Sequence, residues 1–275
     1  MSFLNKNESK NLPSDSYQGH SSNQLNAWDA IRPAGWAHFL LLPIAGWLFA
    51  ENPKFSDLII GLISSVFLLA HAYGFNNYKD NRAQQSVWWH RWPLILFFSI
   101  VLLQKLIPQI SAGVFLLISA IYSGRCKLKG LPIFGLVLNG GGFALFTLMA
   151  VVSPSIQNYW LFLMVALWVA ATQLIHEEAH MEQDAQAGYL TTVILLGTKS
   201  SRILAVVLLL LATIAALFLN VLLGVALIFY VLLFSCLALR LRAKELRWAM
   251  KWLGLLWALI AGIKLLGGTV FNRFN

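Results

Sequence analysis

Nine apolar stretches, at residues 35–50, 58–75, 93–107, 110–122, 132–152, 159–175, 203–219, 221–239 and 248–270, leave this chain few folds to choose from. A helix crosses a bilayer with roughly 17–25 mainly apolar residues, so stretches of this kind read as spans joined by short connections. Only 11 % of the 275 residues are charged, against about 25 % in a soluble globular domain. The expected fold is therefore all-α, a polytopic membrane bundle of about nine transmembrane helices. Pro108 reads as a tight turn between the third and fourth stretches. The triplet Gly140-Gly141-Gly142 either breaks the fifth helix or lets a neighbour approach closely. Asn220 divides the seventh stretch from the eighth.

The net charge of +9 suggests nucleic acid until its distribution is considered. With nine spans and a cytoplasmic N-terminus, sixteen of the twenty Lys and Arg fall on the cytoplasmic side; Lys54, Lys105, Lys264 and Arg273 are the exceptions. That asymmetry sets topology, and no nucleic-acid partner is expected. Trp88, Trp89, Trp92, Trp248 and Trp252 stand beside basic residues, as interfacial anchors do. Residues 1–26 are polar and lack the apolar core of a signal peptide; they read as a disordered cytoplasmic tail on one transmembrane domain, residues 27–275. The expected location is an integral, multi-pass one, the inner membrane if the source is bacterial. Cys126 and Cys236 have no metal-binding spacing and read as inert thiols.

Two dense polar clusters interrupt this apolar pattern, both on the cytoplasmic side. In the first, residues 71–84, Asn76, Asp80 and Gln84 recur every four residues and share one helical face, with Asn77 adjacent. In the second, His176, His180 and Asp184 recur at the same step, with Glu177 three before His180. Facing oxygen-rich ladders suit Mg²⁺, which typically takes one or two carboxylates and bridges to substrate phosphates. Nearby cations then hold phosphate oxygens. The alternative is a pair of solvated helix ends flanked by interfacial tryptophan.

These residues resemble the UbiA superfamily of intramembrane prenyltransferases. Arg32-Pro33-Ala34-Gly35-Trp36 before an apolar helix looks like the family's opening. Residues 76–84 fall on its first Asp-rich motif, and Tyr122-Ser123 with Leu128-Lys129 and Pro132 is similar to its Tyr-Ser, Leu-Lys, Pro loop. Glu177, His180, Asp184, Gly188 and Thr191 fall on its second motif, Asp-x-x-Asp-x-x-x-Asp-x-x-x-Gly-x-x-Thr. The resemblance covers roughly residues 30–270. It implies a helical bundle around a lipid-open cavity, in which the two motifs coordinate Mg²⁺ and bind an isoprenyl diphosphate. Ionisation there yields an allylic carbocation that alkylates an aromatic or lipid acceptor. Carried over, Asp80, Asp184 and His180 are the catalytic candidates. Asn76, Asp80, Glu177, His180 and Asp184 are the metal ligands, and Asn76, Asn77, Gln84, Arg32, Lys127 and Lys129 bind substrate. No protein partner is expected; the partners implied are the diphosphate, a hydrophobic acceptor and membrane lipid.

Four positions depart from the family pattern: Asn77 and Gln84 in the first motif, Glu177 and His180 in the second, each where the family has Asp. Amide oxygens can ligate but carry no charge. Imidazole is a poor ligand for Mg²⁺ and a good one for Zn²⁺ or Mn²⁺. The departures leave open a UbiA-type terpene cyclase, and a lipid-binding protein that kept the cavity without the chemistry. They also create His176-Glu177-x-x-His180, a zinc-hydrolase pattern in which the Glu activates a metal-bound water. His38 reads either as a phosphate contact or as an interfacial histidine, and His71 as facing the cavity rather than a neighbouring helix.

Overall fold

The computed structural model describes residues 31–79, 88–124 and 128–254, and every regular element among them is helical. The chain opens with α1 (Pro33–Trp36), a 3-10 turn (Ala37–Leu40) and α2 (Leu41–Leu48). Next come α3 (Phe55–Lys79), α4 (Trp88–Val101), α5 (Leu106–Ser123) and a 3-10 turn (Leu128–Gly130). Then follow α6 (Phe134–Ala144), extended by the 3-10 turn Leu145–Leu148, and α7 (Ile156–Gln186). The short α8 (Thr192–Leu196), α9 (Thr198–Leu219) and α10 (Val221–Ala238) lead to α11, residues 243–254. Helix covers part of each of the nine apolar stretches. Five helices, α3, α5, α7, α9 and α10, are long and apolar enough to cross a membrane. The protein is thus an all-helical membrane bundle.

Two cores hold it together. Leu68, Leu69, Phe97, Phe115, Phe146 and Met149 pack the N-terminal helices together. Leu174, Ile175, Leu209, Leu227, Phe234 and Leu246 do the same for the C-terminal ones. Many large apolar side chains instead point outward, Leu210, Phe218, Phe229 and Leu232 among them. In water such a surface would aggregate, whereas in a bilayer lipid chains cover it.

The helix boundaries follow from local chemistry. Ser155 and Asn158 form a capping box at the start of α7, and the Asn158 amide also donates to the Gly46 carbonyl at 2.7 Å. Asn220 is extended, and its Oδ1 accepts from the N–H groups of Leu222 and Leu223, so it ends α9 by capping α10. Pro108 is a correction to the sequence reading: it sits in the first turn of α5, and the break lies at residues 102–105. A proline costs no hydrogen bond there, because first-turn N–H groups have no intrahelical partner. Pro93, expected to open a helix, instead lies inside α4. The glycine triplet does not break α6, which runs through it against α7.

Close approach is tightest at Gly46. A Cβ there would stand 1.6 Å from the Thr147 carbonyl oxygen, a backbone atom that no side-chain rotation can move away. Gly46→Ala is expected to cost about 1–3 kcal/mol, the range for overpacking a closed interior. Denaturation in mixed micelles reads that loss; an unchanged midpoint would contradict the packing of α2 on the Leu145–Leu148 turn.

Candidate active site

A 31-residue helix measures about 45 Å, some 15 Å more than the hydrocarbon core, so α7 outruns the membrane. Its surplus carries the second polar cluster. The helix ends at Gly188, whose φ of +74° is left-handed backbone that glycine adopts without strain. The Tyr189 N–H then donates back to the Asp184 carbonyl at 2.9 Å, closing the turn. Gly188 is thus a motif glycine with a local structural reason.

The first cluster approaches this turn through a short loop. Asn76 Oδ1, near the end of α3, accepts from the Ser123 hydroxyl at 2.9 Å and from Lys129 Nζ at 3.1 Å. Lys129 Nζ also lies over the Tyr189 ring, 5.9 Å from its centroid. One residue on, the Gly130 carbonyl accepts from the Leu190 N–H at 3.0 Å, and the Ile133 N–H donates to Thr192 Oγ1 at 2.9 Å. The loop at Leu128–Gly130 therefore ties the end of α3 to the turn after α7. Two clusters a hundred residues apart in sequence share one neighbourhood.

Glu177 has a different setting. It is only 3 % exposed, and its Oε2 accepts from the Thr192 N–H at 3.1 Å while Oε1 accepts from Gln173 at 3.4 Å. A carboxylate on the first N–H of α8 is favourably placed against that helix end. His180 is held as well. Its Nε2 lies 3.0 Å from Arg247 Nη1 and its Nδ1 3.1 Å from Gln183 Oε1. A guanidinium only donates, so Nε2 accepts and Nδ1 carries the hydrogen given to Gln183.

Of the residues singled out from sequence, the structure brings Asn76 and Lys129 together, with the buried Asn77 beside them on α3. Glu177, His180 and Asp184 lie on α7. Asp80, Gln84 and Lys127 lie outside the described residues. Arg32 starts α1 in left-handed backbone (φ 49°) and lies within electrostatic reach of Arg247. His71, expected to face the cavity, instead turns to a neighbouring helix: its Nδ1 lies 2.6 Å from the His90 carbonyl of α4. The donor set divides by chemistry. The carboxylate oxygens of Asp184 suit a hard cation such as Mg²⁺, whereas Asn76 Oδ1 is taken by Ser123 and Lys129 and does not fit as a ligand. A divalent ion on His180 Nε2 would have to displace Arg247, so His180 does not fit as a ligand. Among the described residues no three His, Cys, Asp or Glu side chains converge on a metal position. The zinc-hydrolase alternative also loses its base, because Glu177 is buried against backbone N–H.

Three residues of the neighbourhood escaped the sequence reading. In sequence Ser123 is only part of a loop pattern. Arg202 and Arg247 read in sequence as topogenic cations, yet Arg202 pairs with Glu178 at 2.6 Å and Arg247 meets His180. Burial draws Arg247 below the ordinary guanidinium value; Tyr73 opposes that shift and Arg32 adds to it. A guanidinium stays charged through such a change.

A family model for the UbiA prenyltransferase family matches residues 83–260, well over half of the chain. The chain belongs to that family. The UbiA fold extends beyond the matched segment. A UbiA homologue from Archaeoglobus fulgidus bound to Cd²⁺ superposes with a TM-score of 0.71 at 16 % identity, covering 85 % of this chain and 96 % of that one. The same homologue bound to GPP and Mg²⁺ gives 0.69 at 16 % identity, covering 88 % and 99 %. A digeranylgeranylglyceryl phosphate synthase gives 0.66 at 18 % identity, covering 85 % and 95 %. No curated protein matches the chain.

Proposed function

We propose that this UbiA-family protein is an intramembrane prenyltransferase that ionises an isoprenyl diphosphate between the end of α3 and the turn after α7. The prenyl group passes to a hydrophobic aromatic or lipid acceptor. The observation that carries this reading is the position of Lys129. Its ammonium bridges the two polar clusters, 3.1 Å from Asn76 Oδ1 and over the Tyr189 ring. A cation held at the junction of the two clusters is suited to phosphate oxygens. Family membership supports the same chemistry, and so does the fold shared with a homologue that binds GPP and Mg²⁺.

In this reading the allylic carbon–oxygen bond breaks heterolytically, and its electron pair leaves on the diphosphate. The acceptor's electron pair captures the carbocation, and the acceptor then loses a proton. Lys129 binds the departing charge, assisted by Asn76 and Asn77, with Arg32, Lys127 and Gln84 as further substrate contacts. Asp80 and Asp184 would hold a divalent metal, for which oxygen donors favour Mg²⁺ over Zn²⁺. Such a metal supplies charge neutralisation on the leaving group. Glu177 and His180 serve the architecture of the site instead, through Thr192 and Arg247 respectively.

Lys129→Ala tests the pivot. A hydrogen bond to a charged group contributes about 1.5–3 kcal/mol, so affinity for labelled geranylgeranyl diphosphate is expected to fall about tenfold or more. Equilibrium binding on the purified protein measures it. Affinity equal to that of the native chain would remove the main ground for the proposal.

A further inference from the structure

The pocket beside His180 contains chemistry that none of the sequence motifs accounts for. Ala179 and His180 of α7 line it from one side, and Lys244, Arg247, Trp248 and Lys251 of α11 from the other, around a half-open space of about 280 Å³. Three of its six lining residues are lysine or arginine and none is a carboxylate. Among the described residues no carboxylate pairs with Arg247, Lys244 or Lys251. Arg32 acts electrostatically on Arg247, and Lys251 on His38, so the positive region reaches the start of the chain's first helix. Like charges gathered around a concavity repel one another, and an anion bound between them reverses that cost.

His180 makes the arrangement specific. It stands where the family has a carboxylate, and its Nε2 receives Arg247 Nη1 at 3.0 Å. At that position the protein's own cation occupies the place beside the ligand atom that a metal would take. The corner between α10 and α11 is itself pinned: Arg202 grips Glu178 and donates to the carbonyls of Ala238 and Leu241. Glu178 lies two residues before His180, so the α11 cations are held against the polar ladder and do not drift with a loose connection.

We propose that this pocket binds phosphate oxygens, with Arg247, Lys251 and Lys244 neutralising a diphosphate beside His180, in addition to any metal held by Asp184. The inference rests on the prenyltransferase reading and extends it to residues of α11. Arg247 supplies a fork of donors for two phosphate oxygens, whereas the lysines act as point charges. A volume equivalent to about nine waters holds a headgroup and leaves the isoprenyl chain to the lipid-facing side.

The test is calorimetric titration of the purified full chain with inorganic pyrophosphate in EDTA. Metal-free binding is expected for the native chain, weakened about tenfold or more in Arg247→Gln, since 1.4 kcal/mol is a factor of ten. A smaller loss is expected in Lys251→Gln, an exposed position that leaves folding intact if Arg247→Gln does not. Absence of metal-free binding in the native chain, or native affinity in both variants, overturns the proposal. A lipid headgroup could present the same phosphate chemistry, so the titration is repeated in nanodiscs of phosphatidylcholine and of phosphatidylglycerol. Pyrophosphate binding that survives in phosphatidylglycerol supports the proposal; binding abolished there assigns the pocket to lipid and overturns it. If Arg247→Gln binds pyrophosphate normally while Asp184→Ala loses turnover, the pocket assignment fails and the prenyltransferase reading stands. If binding depends on Arg247 but the native chain releases no diphosphate from any isoprenyl donor, the converse holds.

Discussion

Arg202→Ala is expected to destabilise the folded protein by about 3–5 kcal/mol, the cost of stranding one member of a buried ion pair. Glu178 is 7 % exposed and Arg202 24 %, so little solvent compensates either charge. Three contacts join their side chains, at 3.1, 3.0 and 2.6 Å. The same guanidinium donates to the carbonyls of Ala238, the last residue of α10, and of Leu241, in the connection to α11. Removing it frees a carboxylate and two carbonyls at once. Replacing both partners by apolar residues is expected to cost less than the single change, because no buried charge is then left alone. Unfolding in mixed micelles, with Glu178→Leu, Arg202→Leu and the pair, completes the cycle. A loss under about 1 kcal/mol for Arg202→Ala would mean that the corner between α10 and α11 is not pinned by this pair.

That clamp shows where sequence reasoning stops. Hydropathy identifies the spans, because a run of apolar residues means the same thing wherever the chain goes. Capping chemistry is local too, so Asn220 was legible as a boundary and proves to be a cap. Pro108 misled because a proline suits a turn and a first helical turn alike. The site was legible in part. Asn76, Lys129, Asp184 and Gly188 carry the family pattern, and spacing placed the first and third on polar helix faces. What spacing does not reveal is which charge meets which. Glu177 and Glu178 are neighbours in sequence, yet Glu177 caps α8 and Glu178 holds Arg202. Arg202 and Arg247 look in sequence like any other cytoplasmic cations. Their roles come from the packing of α9 and α11 against α7, which no single stretch encodes.

Asp184→Ala is expected to have the largest effect on activity. In the proposed reading, with His180 and Glu177 engaged by Arg247 and Thr192, Asp184 is the second-motif carboxylate that would hold a divalent cation. Asp80 is its counterpart in the first. Removing one preorganised stabiliser of developing charge typically lowers turnover about 10²–10³-fold. Stability should change little, since α7 is anchored far from its end by the core around Leu174 and Ile175. His180→Ala, by contrast, should retain metal dependence, because its imidazole is taken by a guanidinium.

The most direct measurement is the release of diphosphate from labelled geranylgeranyl or farnesyl diphosphate by the purified chain, with Mg²⁺ and after its removal. The account predicts release that requires Mg²⁺, falls about 10²–10³-fold in Asp80→Ala and Asp184→Ala, and persists in His176→Ala. No release by the native chain with Mg²⁺ or Mn²⁺, or release unaffected by either aspartate substitution, would contradict it.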